Sequence, residues 1–379
     1  MELRAPGLQL FFGADPAELA PLQVEAYRRG LAELEAIKEG DTGRSARSLA
    51  GPGGGHRRKP RGGRALGGAN PPPSAGIGSA AMATAAEPLP AELPLSGGRQ
   101  GATVRVHPLL TATVTVPPAH LHRDEGRLAT WRALGLTLPS SQRERIPIPA
   151  FLVEHPGAGL LLIDTGLHPC VAVEGLGRRA GLIFKDLEME QEQAVPGLMR
   201  ELGLNPEDVR TVVMTHLHAD HASGISQFPH ATFVLSEAEW RAAASGGWRQ
   251  GYQHRNFDHA FDYRLLDFDD DAAGSFATFG RAFDLFGDGT VRLLFTPGHT
   301  PGHLSVELRL RGRELLVAGD AVFTMRSLAE GLLPYSTADE HLARRSLHEA
   351  QLYAERTPSA VIVPGHDMAR WNELEAVYT

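Results

Sequence analysis

Three textures of apolar and polar positions follow one another along the chain. Between Pro16 and Lys38 the apolar residues Leu19, Leu22, Tyr27, Leu31, Leu34 and Ile37 recur at spacings near three or four. That spacing puts them on one side of a helix, so residues 1–40 read as an amphipathic helical segment. Its apolar stripe needs a surface, either on its own chain or on a second copy in a homodimer. Over residues 41–101 the periodicity disappears: Gly, Pro, Ser and Ala dominate, with Pro71-Pro72-Pro73 and a short basic run, His56-Arg57-Arg58-Lys59. Such a composition buries too little apolar surface to offset the entropy of ordering it, and a disordered linker is expected. A short basic run is ordinarily a solvated face. Met82 lies within this linker and offers a second start of translation besides Met1.

From residue 102 the pattern changes to strands and helices in alternation. Val104-Arg105-Val106 and residues 111–116 alternate with the period of a strand. Phe151-Leu152-Val153 and Leu160-Leu161-Leu162-Ile163 flank Pro156-Gly157-Ala158-Gly159, a hairpin signal. Further strands are expected at 211–214, 232–235, 291–295, 304–308, 314–318 and 360–363, and helices at 195–202 and 338–356. This order predicts one α/β domain over residues 102–379, with sheet inside and helices outside.

Composition narrows the class of partner. At 42% hydrophobic and 22% charged, the 379 residues are ordinary for a globular protein. A formal net charge of -8 argues against a phosphate-backbone partner, and no apolar run approaches the roughly 18 residues a membrane span needs. Neither nucleic acid nor membrane is expected as a partner. Cys170 is the single cysteine, which excludes an internal disulfide and a thiolate-rich zinc module. No secretory signal stands near Met1, so the expected location is cytoplasmic.

The candidate chemistry falls just after the expected strands. Asp164 follows 160–163, His216-Leu217-His218-Ala219-Asp220-His221 follows 211–214, His299 follows 291–295, Asp320 follows 314–318, and His366 follows 360–363. Loops at strand ends are where α/β scaffolds place reactive groups, so one rim can gather them all. Imidazoles and carboxylates without thiolate suit Zn²⁺, Fe²⁺, Mn²⁺ or Co²⁺. Four donors within six residues serve no structural purpose that Ser or Asn would not serve as well. His216 and His218 with His299 are read as one metal site, Asp220 and His221 with His366 as its neighbour, and Asp320 as the bridge. Asp164, His303 and Asp367 are assigned to holding the ligands in place. Of the 17 histidines, His168, His230, His254, His259 and His348 are read as surface or hydrogen-bonded residues.

The motifs Ile163-Asp164-Thr165-Gly166, Thr215 to His221, Thr296-Pro297-Gly298-His299, Gly319-Asp320 and Pro364-Gly365-His366-Asp367 resemble, in order, those of the metallo-β-lactamase superfamily. The resemblance covers residues 102–379 and implies an αβ/βα four-layer sandwich with two divalent metal ions, foremost Zn, at one edge. Within the superfamily the chain is most similar to the N-acyl homoserine lactonase group, marked by Gly365-His366-Asp367. That similarity implies a hydrolase opening a lactone or ester by attack of a metal-bridging hydroxide, with Asp220 protonating the leaving alkoxide. A thioesterase resembling glyoxalase II, an arylesterase, a phosphotriesterase and a mononuclear iron persulfide dioxygenase are the alternatives. Two positions depart from the lactonase pattern. Phe323 stands where those enzymes commonly carry a Tyr that donates to the substrate carbonyl, and Ala219 stands where they often carry a bulky aromatic, implying a wider mouth.

Overall fold

The computed structural model describes residues 85–124, 126–135, 138–174 and 183–379. The helix expected in 1–40 and the linker up to residue 84 lie outside the described residues. Two mixed sheets carry the fold. The first contains β1 (Leu89–Pro90), β2 (Arg105–Val116), β3 (Glu144–His155), β4 (Gly159–Ile163), β5 (Lys185–Glu188), β6 (Val209–Val213), β7 (Thr232–Ser236) and β8 (Asp262–Leu266), in the order β1-β8-β7-β6-β4-β3-β2-β5. The second contains β9 (Gly274–Phe276), β10 (Phe279–Asp284), β11 (Val291–Phe295), β12 (Leu304–Arg309), β13 (Glu314–Gly319) and β14 (Val361–Pro364), in the order β14-β13-β12-β11-β10-β9.

Alternation along the strands decides how these layers stack. In β4, Leu161 and Ile163 enter one core cluster while Leu162, between them, enters another with Val195 and Met199. In β13, Leu315 and Val317 join the cluster of Leu161 and Ile163, whereas Leu316 and Ala318 pack with Ala343, Leu347, Ala350 and Tyr353. Successive side chains of a strand point to opposite faces, so the shared cluster is the seam between the sheets and the other two lie beneath helices. The helix Glu340–Arg356 buries Ala343, Ser346, Leu347, Ala350 and Tyr353, a one-sided stripe at helical spacing. Asp339 caps it by accepting from Leu342 N at 2.9 Å. The result is the αβ/βα four-layer sandwich.

The expected hairpin forms between β3 and β4, but β3 begins earlier, at Glu144. Its first half contains Pro147 and Pro149, which the pattern does not read as strand. There β3 is paired with β2 alone, because β4 reaches only residues 151–155, and a proline is tolerated where no neighbour needs its N–H.

Residues 85–101, assigned by composition to the disordered linker, are instead laid along the domain. The N–H groups of Ala85 and Ala86 donate to Asp258 Oδ1 at 2.6 and 3.0 Å, and Leu89–Pro90 runs parallel to β8. Leu95 N donates to Leu285 O, Arg99 N donates to Asp288 Oδ2 at 2.6 Å, and Leu93 and Leu95 pack against the seam. A Gly/Pro-rich average over the whole stretch hides these few anchoring residues.

Candidate metal centre

Strand direction brings the candidate ligands to one rim. β4 and β6 are parallel neighbours; β13 and β14 are parallel, and β11 shares their direction through the antiparallel β12. Asp164 and the His216 cluster therefore leave the first sheet together, and His299, Asp320 and His366 leave the second. Met214 and Leu217 stay fully buried beneath the helices, which fixes the chain on either side of His216. The chain then enters a short helix, Ala219–Ala222, leaving His218, Ala219 and Asp220 half-buried.

Three sets of donors converge. One atom each from His216, His218 and His299 lies within 4.8 Å of the others; the same holds for His216, His221 and Asp320, and for Asp220, His221 and His366. Asp320 reaches both sides: its Oδ2 lies 3.2 Å from His299 Nε2 and 3.3 Å from His366 Nε2, and its Oδ1 lies 3.4 Å from His221 Nε2. Each outer set takes two ligands from the first sheet and one from the second. The buried atoms His216 Nε2, His221 Nε2 and Asp320 Oδ1 have no hydrogen-bond partner. Left unpaired, each would cost about 1–3 kcal/mol, a penalty that divalent cations coordinated by these lone pairs remove.

The outer nitrogens show which atoms are free to coordinate. His221 Nδ1 lies 2.7 Å from Asp164 Oδ2 and must be the donor, leaving the lone pair on Nε2. Thr215 Oγ1 donates to Asp164 Oδ2 at 2.7 Å and so accepts from His216 Nδ1 at 3.1 Å. His218 donates from Nε2 to Gln250 O at 2.8 Å, and His366 from Nδ1 to Pro147 O at 3.1 Å. His218 Nδ1 and His299 Nε2 then face each other at 3.0 Å.

Electrostatics follow from this crowding. Burial pushes the pKa values of His216 and His299 well below the ordinary histidine value. Burial also works against charge on His221, but without a cation the carboxylates of Asp164, Asp220 and Asp320 outweigh it and hold the pKa well above that value; a divalent ion facing the same carboxylates would take the place of the Nε2 proton. For Asp320 burial favours the neutral acid, yet His366, His299 and His221 hold its pKa well below the ordinary carboxylate value.

The three residues assigned to support differ in what they touch. Asp164, held at φ 58°, accepts from Thr215 N and Oγ1 as well as His221, tying the cluster to β4. His303 Nε2 accepts from Asp320 N at 2.9 Å, which leaves Nδ1 to donate to Thr296 Oγ1. Burial pushes the His303 pKa down to about 3, so it stays neutral in that role. The Asp367 carboxylate accepts from Arg370 N and Met325 N rather than from a ligand, pinning the chain after Asp320 to the turn after His366. Phe323 is buried with its ring 5.3 Å from His299 and 5.1 Å from His366, centroid to centroid.

Sequence reasoning missed Glu239. It sits fully buried in the helix Glu237–Ser245 and accepts from Leu217 N at 2.9 Å and Gly302 N at 3.2 Å. Its carboxylate thus joins the loop of His216 and His218 to the loop of His299 and His303. The only signal was Ser236-Glu237-Ala238-Glu239, which reads as a helix capping box and conceals this use. Tyr252, also missed, packs its ring 5.3 Å from His218. Two glycines fit the loops to their neighbours. Gly251 has φ 89°, and a Cβ there would lie 2.4 Å from His218 Cδ2; at Gly298, with φ 137°, one would lie 2.1 Å from Ala343 N.

A four-layer sandwich whose two sheet rims share a cluster of histidines and carboxylates around one central Asp is a scaffold suited to metal-dependent hydrolysis. The chain belongs to the metallo-beta-lactamase superfamily, whose profile matches residues 143–366. It is 34% identical over 232 residues to the N-acyl homoserine lactonase AttM of Rhizobium radiobacter, a match covering 60% of this chain and 84% of that protein. To the N-acyl homoserine lactonase AiiA of Bacillus thuringiensis subsp. kurstaki it is 27% identical over 228 residues, covering 59% and 82%. The solved structure of an N-acyl homoserine lactone hydrolase with N-hexanoyl-L-homoserine at its catalytic metal centre shares the fold. That comparison gives a TM-score of 0.58 at 20% identity over 72% of this chain and 97% of the other.

Proposed function

We propose that this protein is a lactonase that opens an N-acyl homoserine lactone-like ring with two divalent ions, foremost zinc. The observation that carries the reading is the pair of three-donor sets sharing Asp320 between them. Two sets speak for two ions and against a mononuclear iron site, and the similarity to lactonases speaks for the substrate class. Imidazole and carboxylate donors without thiolate favour zinc.

In this reading His216, His218 and His299 would hold one ion and Asp220, His221 and His366 the other, with the Asp320 carboxylate within reach of both sets. Divalent ions held there would supply Lewis acidity and lower the pKa of bound water from 15.7 to about 7. Asp164 fixes His221, and Thr215 passes the same constraint to His216. Asp220 is the most exposed carboxylate of the set, its side chain 27% accessible, with Oδ2 3.6 Å from His366 Nε2. In this reading Asp220 would take up the proton released as water adds to the carbonyl carbon and pass it to the alkoxide leaving the opened ring. Ala219 and Phe323 flank the substrate, the first at the mouth and the second against the ligand rings.

Metal analysis of the purified chain, followed by a panel of acyl homoserine, γ- and δ-lactones, an aryl ester, a thioester and a phosphotriester, tests this. Two ions per chain with the lactones opened fastest is the expected result. A two-ion sample that opens no lactone, or one iron per chain with oxygen uptake, overturns it.

A further inference from the structure

The ligand imidazoles are not all held alike. His221 donates to the buried carboxylate of Asp164, and His216 to Thr215, which itself donates to that carboxylate. His366 donates to Pro147 O in a buried bond, and Pro147 is fixed in the pairing of β2 with β3. The other two are held less firmly. His299 Nδ1 has no hydrogen-bond partner among the described residues, and His218, half-buried, makes a bond to Gln250 O that lies at the surface. Gln250 ends the single 3-10 turn Trp248–Gln250, whose bonds close on its own ends. Gln250 N and Tyr252 N both donate to Gly247 O, at 2.9 and 3.2 Å, and Gln250 Oε1 accepts from Gly247 N at 3.2 Å. Trp248, within the turn, is exposed. A short segment with surface backbone bonds and little burial opens at low free-energy cost, without unfolding of the domain.

The turn leans on His218 and on no other ligand ring among the contacts described. Gly251 sits against the His218 ring, Tyr252 pairs with His218 main chain to main chain, and the Tyr252 ring lies 5.3 Å from that of His218. We propose that residues 247–252 are the holder of His218, with Tyr252 as its positioning residue, and that the His216, His218 and His299 set releases its ion through this turn before the other set releases its own. The proposal rests on the two-ion reading. Charge acts in the same direction: beyond the shared Asp320, the first set offers only imidazoles, whereas the second adds the Asp220 carboxylate. The carboxylate behind His221 also makes that imidazole the better electron donor, a gain that a carbonyl behind His218 supplies more weakly.

Two measurements test this without recourse to turnover. In the wild type loaded with cadmium, cadmium NMR distinguishes an ion with three imidazoles from one with two, and one equivalent of chelator is expected to remove the three-imidazole signal first. With zinc bound, stopped-flow transfer to a chromogenic chelator is expected to show a fast and a slow phase. Tyr252→Leu is expected to speed the fast phase about 10-fold, within the range for losing a residue that holds a metal ligand, and to leave the slow phase unchanged. Tyr252→Phe, which keeps the ring against His218, is expected to release both ions as the wild type does. Loss of the two-imidazole signal first, or release of both ions in one step, overturns the order of release. A fast phase unchanged in Tyr252→Leu, both phases sped equally, or an equal effect in Tyr252→Phe overturns the role of the Tyr252 ring. If Tyr252→Leu does not fold, the wild-type NMR still decides the order. One ion per chain at saturation defeats the two-ion reading itself, whereas two ions leaving together defeat this proposal and leave that reading standing.

Discussion

Glu239→Gln isolates one carboxylate that touches both metal-bearing loops but no proposed ligand. The native side chain accepts from Leu217 N and Gly302 N with separate oxygens. A glutamine keeps one acceptor and turns an NH₂ towards the other N–H, leaving that buried donor unpaired at about 1–3 kcal/mol. Some of this is offset, because burial raises the Glu239 pKa and so already opposes its charge. A net cost of ~1–2 kcal/mol, borne where the loops must close on the ions, weakens metal binding roughly 5- to 30-fold. That lies near the 10- to 100-fold range for residues that hold metal ligands in place. Competition with a chromogenic chelator reads the affinity, and thermal melting with and without metal separates it from general stability. An unchanged chelator midpoint, with the melting temperature lowered equally in both states, refutes the reasoning.

Three further outcomes are expected. Gly251→Ala, strained at its positive φ and driven into the His218 ring, lowers metal content and turnover while far-ultraviolet circular dichroism stays native. Asp164→Asn suits the same backbone angle but removes the charge facing His221, and a 10- to 100-fold fall in metal affinity or kcat/KM is expected from chelator competition and lactone kinetics. Stripping the metal abolishes turnover and lowers the melting temperature, and both return on titration with two equivalents of zinc.

The site was legible because its residues obey a rule that strands impose. Apolar runs such as 160–163 and 211–214 mark strand ends without knowledge of the partner strand, and the metal-competent groups follow them. Residues whose roles depend on the partner were not legible. Glu239 looks like an ordinary capping residue until Leu217 and Gly302 are brought to it. Pro147 and Pro149 argue against a strand until β3 is seen to have β2 alone beside them. The anchoring of residues 85–101 depends on Asp258 and Asp288, far along the chain, which local composition does not register.

The division of ligands between the sheets has a mechanical consequence. His216 and His218 can grip an ion with three imidazoles only when His299 arrives from the opposite layer, and Asp220 and His221 likewise depend on His366. In the proposed two-ion site each ion would therefore be a cross-link between two plates, and neither plate could be charged with metal before the other is in register. Slippage along the seam of Leu161, Ile163, Leu315 and Val317, far too small to unfold either sheet, would stretch both cross-links together. On that reading the rate at which the protein surrenders its metal would be a strain gauge for the contact between its two sheets.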